Sequence, residues 1–326
     1  PLAELWFRTY PNLLAFGGTL DVTGARVNGK TVPYAPDASR TSVQLAIADA
    51  LQPGERARVS LDYRGRFDRV SNPGDYTIFG IHEDTTSLTN FYPILAARRG
   101  QEWALDVPHP QGDVGFHDAA VYRVDLKFPS DQVMVATGSE ITRTVGADGW
   151  TTARYVIGPA REFTALLSPR FQVLELESLG TRIRSFAMPE NLDASRSALY
   201  DAQAALQVYT DRFGPYPYRE MSIVQAPLTF KGMEFPSISL IGSQVYSLYQ
   251  KDLENLVAHE VAHQWWYNQV GSDQVRTPWL DEGLAEYSMY EYYSGRDGEG
   301  SAEDLLALRW ELPFNSLKRR NADQPI

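Results

Sequence analysis

A chain of 326 residues with 43% hydrophobic and 22% charged residues has the composition of a folded protein with ample side chain for a core. Forty-one acids against 30 bases leave a net charge of −11, which disfavours a nucleic-acid binder. With no cysteine there is no disulfide framework, thiolate metal site or cysteine nucleophile, and no apolar run is long enough for a transmembrane segment.

Residues 1–188 read as β structure. Runs at Leu20–Val27, Ala57–Tyr63, Ala120–Phe128, Ala153–Ile157, Phe171–Leu176 and Thr181–Phe186 alternate or are rich in Val, Tyr, Phe and Thr. Asn28-Gly29 and Asp148-Gly149 supply hairpin signals, since Asn, Asp and Gly tolerate positive φ. No internal repeat has a fixed period, which argues against a propeller or solenoid.

The pattern changes near Met188-Pro189. Beyond Asn191 and Asp193, either of which could cap a helix, Leu199, Ala202, Leu206, Tyr209 and Phe213 share one helical face, and Gly214-Pro215 ends it. Met221–Ala226 and Ile238–Ile241 read as short strands. Two more helices follow, at about 253–270 and 279–293, with Gly271 and Gly295 as stops. The division is thus a β domain over 1–188 and a mixed domain over 189–326. Charge divides with it: residues 189–326 hold 20 acids and 11 bases, a net of −9. That bias is either a solvated acidic face or a cleft that attracts a cationic group.

Two of the five histidines stand in His259-Glu260-Val261-Ala262-His263. Leu253, Leu256 and Val257 precede them at helical spacing. Residues four apart share a helix face, so both imidazoles can meet one ion, and imidazole nitrogen suits zinc. Glu260 projects to the side, where it can reach a water rather than the metal. A catalytic zinc keeps three protein ligands and an open position. Glu282, 19 positions after His263, can return on the next helix as the third. Glu286, one turn further on, can accept a hydrogen bond from the free ring nitrogen of a ligating histidine.

His259-Glu260-Val261-Ala262-His263-Gln264-Trp265 with Trp279-Leu280-Asp281-Glu282-Gly283 resembles the gluzincin aminopeptidases, the family of aminopeptidase N. Upstream, Lys231-Gly232-Met233-Glu234-Phe235 resembles the family's Gly-x-Met-Glu-Asn, with Lys231 in place of Gly and Phe235 in place of Asn. Phe213-Gly214-Pro215-Tyr216-Pro217-Tyr218 resembles the turn before the first catalytic strand, and segments at 7–12 and 22–29 resemble the family's amino-terminal β domain.

The resemblance implies an amino-terminal antiparallel β-sandwich-like domain followed by a thermolysin-like α/β zinc peptidase domain. It implies one Zn2+ per chain on His259, His263 and Glu282, Glu260 as general base, and a peptide substrate whose free amino terminus meets Glu234 beside Met233 and Gly232. The altered residues around Glu234 keep a thermolysin-like endopeptidase in view. The family's oxyanion-stabilising tyrosine, in Tyr-x-Lys-Gly, has no counterpart after Glu282, so a non-catalytic binding module also stays open and the chain reads as a segment cut at both ends. Family habit, the non-Met start and the lack of cysteine favour an extracytoplasmic location. Oligomeric state is not readable.

Overall fold

Alternation of buried and exposed side chains organises the first half of the molecule. The computed structural model describes residues 1–323 apart from 14, 15, 17, 68, 70–77, 110, 111 and 229–231. Packing divides the chain into two units. The first holds Pro1–Arg170 with a short segment starting at Ala226, and the second holds the remainder.

The first unit is built of antiparallel sheets. One has the order Tyr34–Pro36, Ser42–Leu51, Leu2–Arg8, Ile94–Leu95, and another has Lys30–Thr31, Gly18–Val27, Val59–Phe67. Leu5, Phe7, Val43 and Leu45 of the former meet Ala25 and Val27 of the latter in one core. A second core joins Phe128, Ala153 and Tyr155 from Ala120–Pro129 and Trp150–Ala160 to Met134, Ala136, Ala165 and Leu167 from Val133–Ala136 and Thr164–Ser168. Facing sheets with interdigitated inner side chains make this a sandwich-like architecture. Asn28 and Gly29 both take positive φ (50° and 81°) between Val27 and Lys30, as a tight hairpin of right-handed twist requires.

The second unit is α/β. Its five-stranded sheet has the order Gln172–Ser178, Thr181–Ala187, Glu220–Ala226, Ile238–Gly242, Gly232–Phe235. Thr181–Ala187 runs parallel to Glu220–Ala226, and the helix Leu192–Phe213 makes the crossover. The hairpin Gln172–Ser178 and Thr181–Ala187 therefore belongs to this sheet. The unit boundary falls at Arg170/Phe171 rather than at 188/189, because strand pairing overrides the composition shift that marks Met188-Pro189.

The crossover helix presents Ala198, Leu199, Ala202, Ala205, Leu206 and Tyr209 to the core, and Gly214 (φ 104°) ends it. The run of alanines lets neighbouring backbones come close. Tyr209 Oη donates to Ala258 O (3.0 Å) on the helix Leu253–Ala262, and both belong to one apolar core with Trp265, Ala285 and Tyr292. Beyond Asp297 the chain continues in helical stretches at Glu299–Leu305, a π-helical turn at Leu306–Glu311, and Leu312–Arg319. Among the described residues no helix is long and apolar enough to cross a membrane.

Leu206 is fully buried where the crossover helix meets the sheet and the other helices. Leu206→Ala should cost about 2–5 kcal/mol, read as a lower urea midpoint with unchanged slope.

Candidate metal centre

The helix Leu253–Ala262 buries Leu253, Val257, Ala258, Val261 and Ala262, which fixes its rotation and turns His259 and His263 to one side. It ends earlier than the Gly271 stop suggested. Trp265 Nε1 donates to Gly214 O (2.9 Å), Trp266 Nε1 donates to Ser288 Oγ (2.7 Å), and Tyr267 takes φ 87°. These pulls break the helical ladder. Asn268 then caps the end, with Nδ2 donating to His263 O at 3.0 Å. Both histidines thus sit at the C-terminal end of the helix, whose partial negative charge favours a cation.

Three ligand atoms converge. His259 Nε2 and His263 Nε2 are 3.3 Å apart, and Glu282 brings Oε2 to 3.3 Å from His259 Nε2 and Oε1 to 4.0 Å from His263 Nε2. One ligand atom from each lies within 4.8 Å of the others. His263 is buried, His259 nearly so, and Glu282 half exposed. Glu282 enters from the first turn of the helix Trp279–Asp297, where the helix dipole favours a carboxylate. Two imidazoles and one carboxylate around a common point form the donor set of a zinc site with an open position, so the residues fit that ion.

The rear nitrogens are also placed. His263 Nδ1 lies 3.3 Å from Trp266 O, and a proton there leaves Nε2 free to ligate. His259 Nδ1 lies 3.3 Å from Glu286 Oε1. Glu286 is itself gripped by Arg309, with Nε to Oε2 at 2.7 Å and Nη2 to Oε1 at 2.6 Å, and by Trp310 Nε1 at 2.7 Å. Arg309 and Trp310 come from the π-helical turn. Burial resists charge on Glu286, but Arg309, His259 and Trp310 outweigh it and hold its carboxyl well below the usual range. Burial likewise resists charge on His259, yet Glu282 and Glu286 push it up to about 10. Burial and the neighbouring His259 hold His263 down to about 3.

The edge strand Gly232–Phe235 brings the remaining predicted residues. Gln264 holds this hairpin to the helix end: Nε2 donates to Phe235 O (3.0 Å) and Oε1 accepts from Ser237 N (2.9 Å). Ser239 Oγ adds a bond to Glu260 O at 3.1 Å. Gly232 lies against the Glu260 carboxylate so closely that a Cβ there would overlap it. Glu234 is buried, and its carboxylate, a ring nitrogen of His263 and a carboxylate oxygen of Asp281 lie within 4.8 Å of one another. Met233 and Phe235 are buried, so Phe235 faces the core. Lys231 lies outside the described residues. Gln274, Arg309 and Trp310 are contributors outside the motifs, and Asp281 lies inside the Trp279–Gly283 motif without a role assigned from sequence.

Residues 197–321 match the model described as "Peptidase family M1 domain". The chain superposes on an M1 zinc metallopeptidase from Deinococcus radiodurans with a TM-score of 0.67 at 20% identity, covering 95% of this chain and 68% of that one. It is 25% identical over 186 residues to an aminopeptidase N from Haemonchus contortus, covering 52% of this chain and 19% of that protein. It is 30% identical over 158 residues to the human aminopeptidase RNPEPL1, covering 47% of this chain and 21% of that protein. The matches thus span only about a fifth of these curated relatives. Residues 197–321 thus match an M1 peptidase domain, the family whose motifs the sequence resembles.

A pKa near 10 keeps His259 protonated at pH 7 in metal-free protein, while His263 near 3 and the depressed Glu282 are already deprotonated. Zinc uptake should therefore release one proton and tighten about tenfold per pH unit between pH 6 and 8. Calorimetry of zinc addition in buffers of different ionisation enthalpy reads that proton directly.

Proposed function

We propose that this protein is a zinc aminopeptidase that removes residues from peptides with a free amino terminus. The observation that carries the proposal is the meeting, within one unit, of the His259, His263 and Glu282 donor set with Glu260 on the same helix and Glu234 on the edge strand. His259, His263 and Glu282 would hold one Zn2+, which when bound supplies Lewis acidity to a carbonyl and lowers the pKa of water.

The chain's own groups do the rest. Glu260 takes a proton from the attacking water as the C–O bond forms, then delivers it to the amine nitrogen, which leaves as the C–N bond breaks. Its carboxylate is confined between the edge strand and the helix, which limits it to a narrow range of positions. Glu234 receives the substrate's ammonium group and sets the first peptide bond at the site. Glu286 fixes the ring of His259, and Arg309 and Trp310 fix Glu286. The acidic second half suits a cationic substrate end.

Glu260→Gln should lower turnover of a leucyl chromogenic amide by about 10²–10⁴ while elemental analysis still finds one zinc per chain. Hydrolysis of amino-terminally blocked peptides alone would point to an endopeptidase. No turnover of either substrate by the zinc-loaded protein would point to a binding module. Gly232→Ala supplies a second check. Its methyl group would overlap Glu260 Oε1, Cδ and Cγ, so the confined carboxylate must shift and turnover should fall about 10²-fold while elemental analysis still finds zinc bound.

A further inference from the structure

Gln274 stands in a turn between the two site helices. The turn closes on Asp273, whose carbonyl accepts from Arg276 N at 3.1 Å and Thr277 N at 2.8 Å. Gln274 is 4% exposed. Its amide nitrogen donates to Glu234 Oε1 at 2.6 Å and to Asp281 Oδ2 at 2.7 Å. One amide nitrogen carries two hydrogens, so each carboxylate takes one. Glu234 and Asp281 are 5% and 1% exposed. Asp281 Oδ1 has no hydrogen-bond partner among the described residues.

Two carboxylates buried this close repel one another, and an intervening donor is what lets them share the space. The donor also sets orientation. Glu234 lies on an edge strand, and Gln274 ties one of its oxygens to a point that its second bond, to Asp281, fixes on the next helix. Ion pairing with an ammonium group is steep in geometry, so a held carboxylate binds better than a mobile one.

We propose that Gln274, anchored by Asp281, is a positioning residue that holds Glu234 in place to receive the substrate's ammonium group. This rests on the aminopeptidase reading. Asp281 acts through Gln274 and supplies an acceptor, and its charge is secondary to that.

The test uses zinc-loaded protein and two probes, leucine hydroxamate and its des-amino counterpart 4-methylpentanoic hydroxamate, titrated calorimetrically. The wild type should favour the amino probe by about 10–100-fold, the scale of a charged hydrogen bond. Gln274→Met keeps the shape and removes the donor. It should cut that preference about tenfold, with zinc content and des-amino affinity unchanged. Asp281→Asn keeps an acceptor and should retain most of the preference, while Asp281→Leu should lose it. An undiminished preference in Gln274→Met overturns the positioning role and leaves the aminopeptidase reading intact. A wild type indifferent to the amine removes both. A second zinc per chain that disappears in Asp281→Asn would recast the cluster as a metal site and likewise overturn the proposal.

Discussion

The electrostatic balance around His259 is the constraint on which the rest of the second unit turns. Its ring is nearly buried between two carboxylates, Glu282 in front and Glu286 behind, each 3.3 Å from a different nitrogen. Burial alone would keep the ring neutral. The paired carboxylates reverse that preference and demand a positive charge at this point, which a proton or a divalent cation can supply. His263, deeper and further from a carboxylate, is left neutral and free to ligate. Helix dipoles act in the same sense, with the C-terminal end of one helix supplying the imidazoles and the N-terminal turn of the next supplying Glu282.

Everything nearby serves to keep those groups from relaxing. Tyr209 ties the crossover helix to Ala258, one residue before His259. The two tryptophans after His263 anchor the helix end to Gly214 and Ser288. Arg309 and Trp310 hold Glu286 from a π-helical turn, a geometry that places two consecutive side chains on one carboxylate. A cluster of buried charge with its partners fixed is stable, whereas the same cluster with one partner lost leaves an uncompensated ion.

Local pattern exposed much of this in the sequence. Helical spacing in 199–213 and the four-residue interval between His259 and His263 describe short-range geometry, and short-range geometry depends on few neighbours. The Asn28-Gly29 turn is legible for the same reason. Tertiary pairing is not local. The hairpin at Gln172–Ser178 and Thr181–Ala187 looks like its β-rich predecessors, and only the parallel partner Glu220–Ala226 assigns it to the second unit. Gln274 sits in a turn without periodicity, and its meaning depends on Glu234, 40 residues earlier. The early stop at Ala262 was hidden because Trp265 and Trp266 fit an apolar helix face until their indole donors find partners elsewhere.

Gln264 supplies no ligand atom, yet it clamps the strand carrying Glu234 to the end of the helix carrying His263, with one bond at each end of its amide. Strand and helix end therefore behave as a rigid caliper. The gap between the Glu234 carboxylate and the proposed metal ligands is set by hydrogen bonds from the Gln264 amide to the strand backbone and stays constant from one substrate side chain to the next. On the aminopeptidase reading, such a caliper measures off a single residue whatever that residue is. Cleavage register and side-chain preference then become separable properties, the first fixed by a buried amide and the second left to the walls of the cleft.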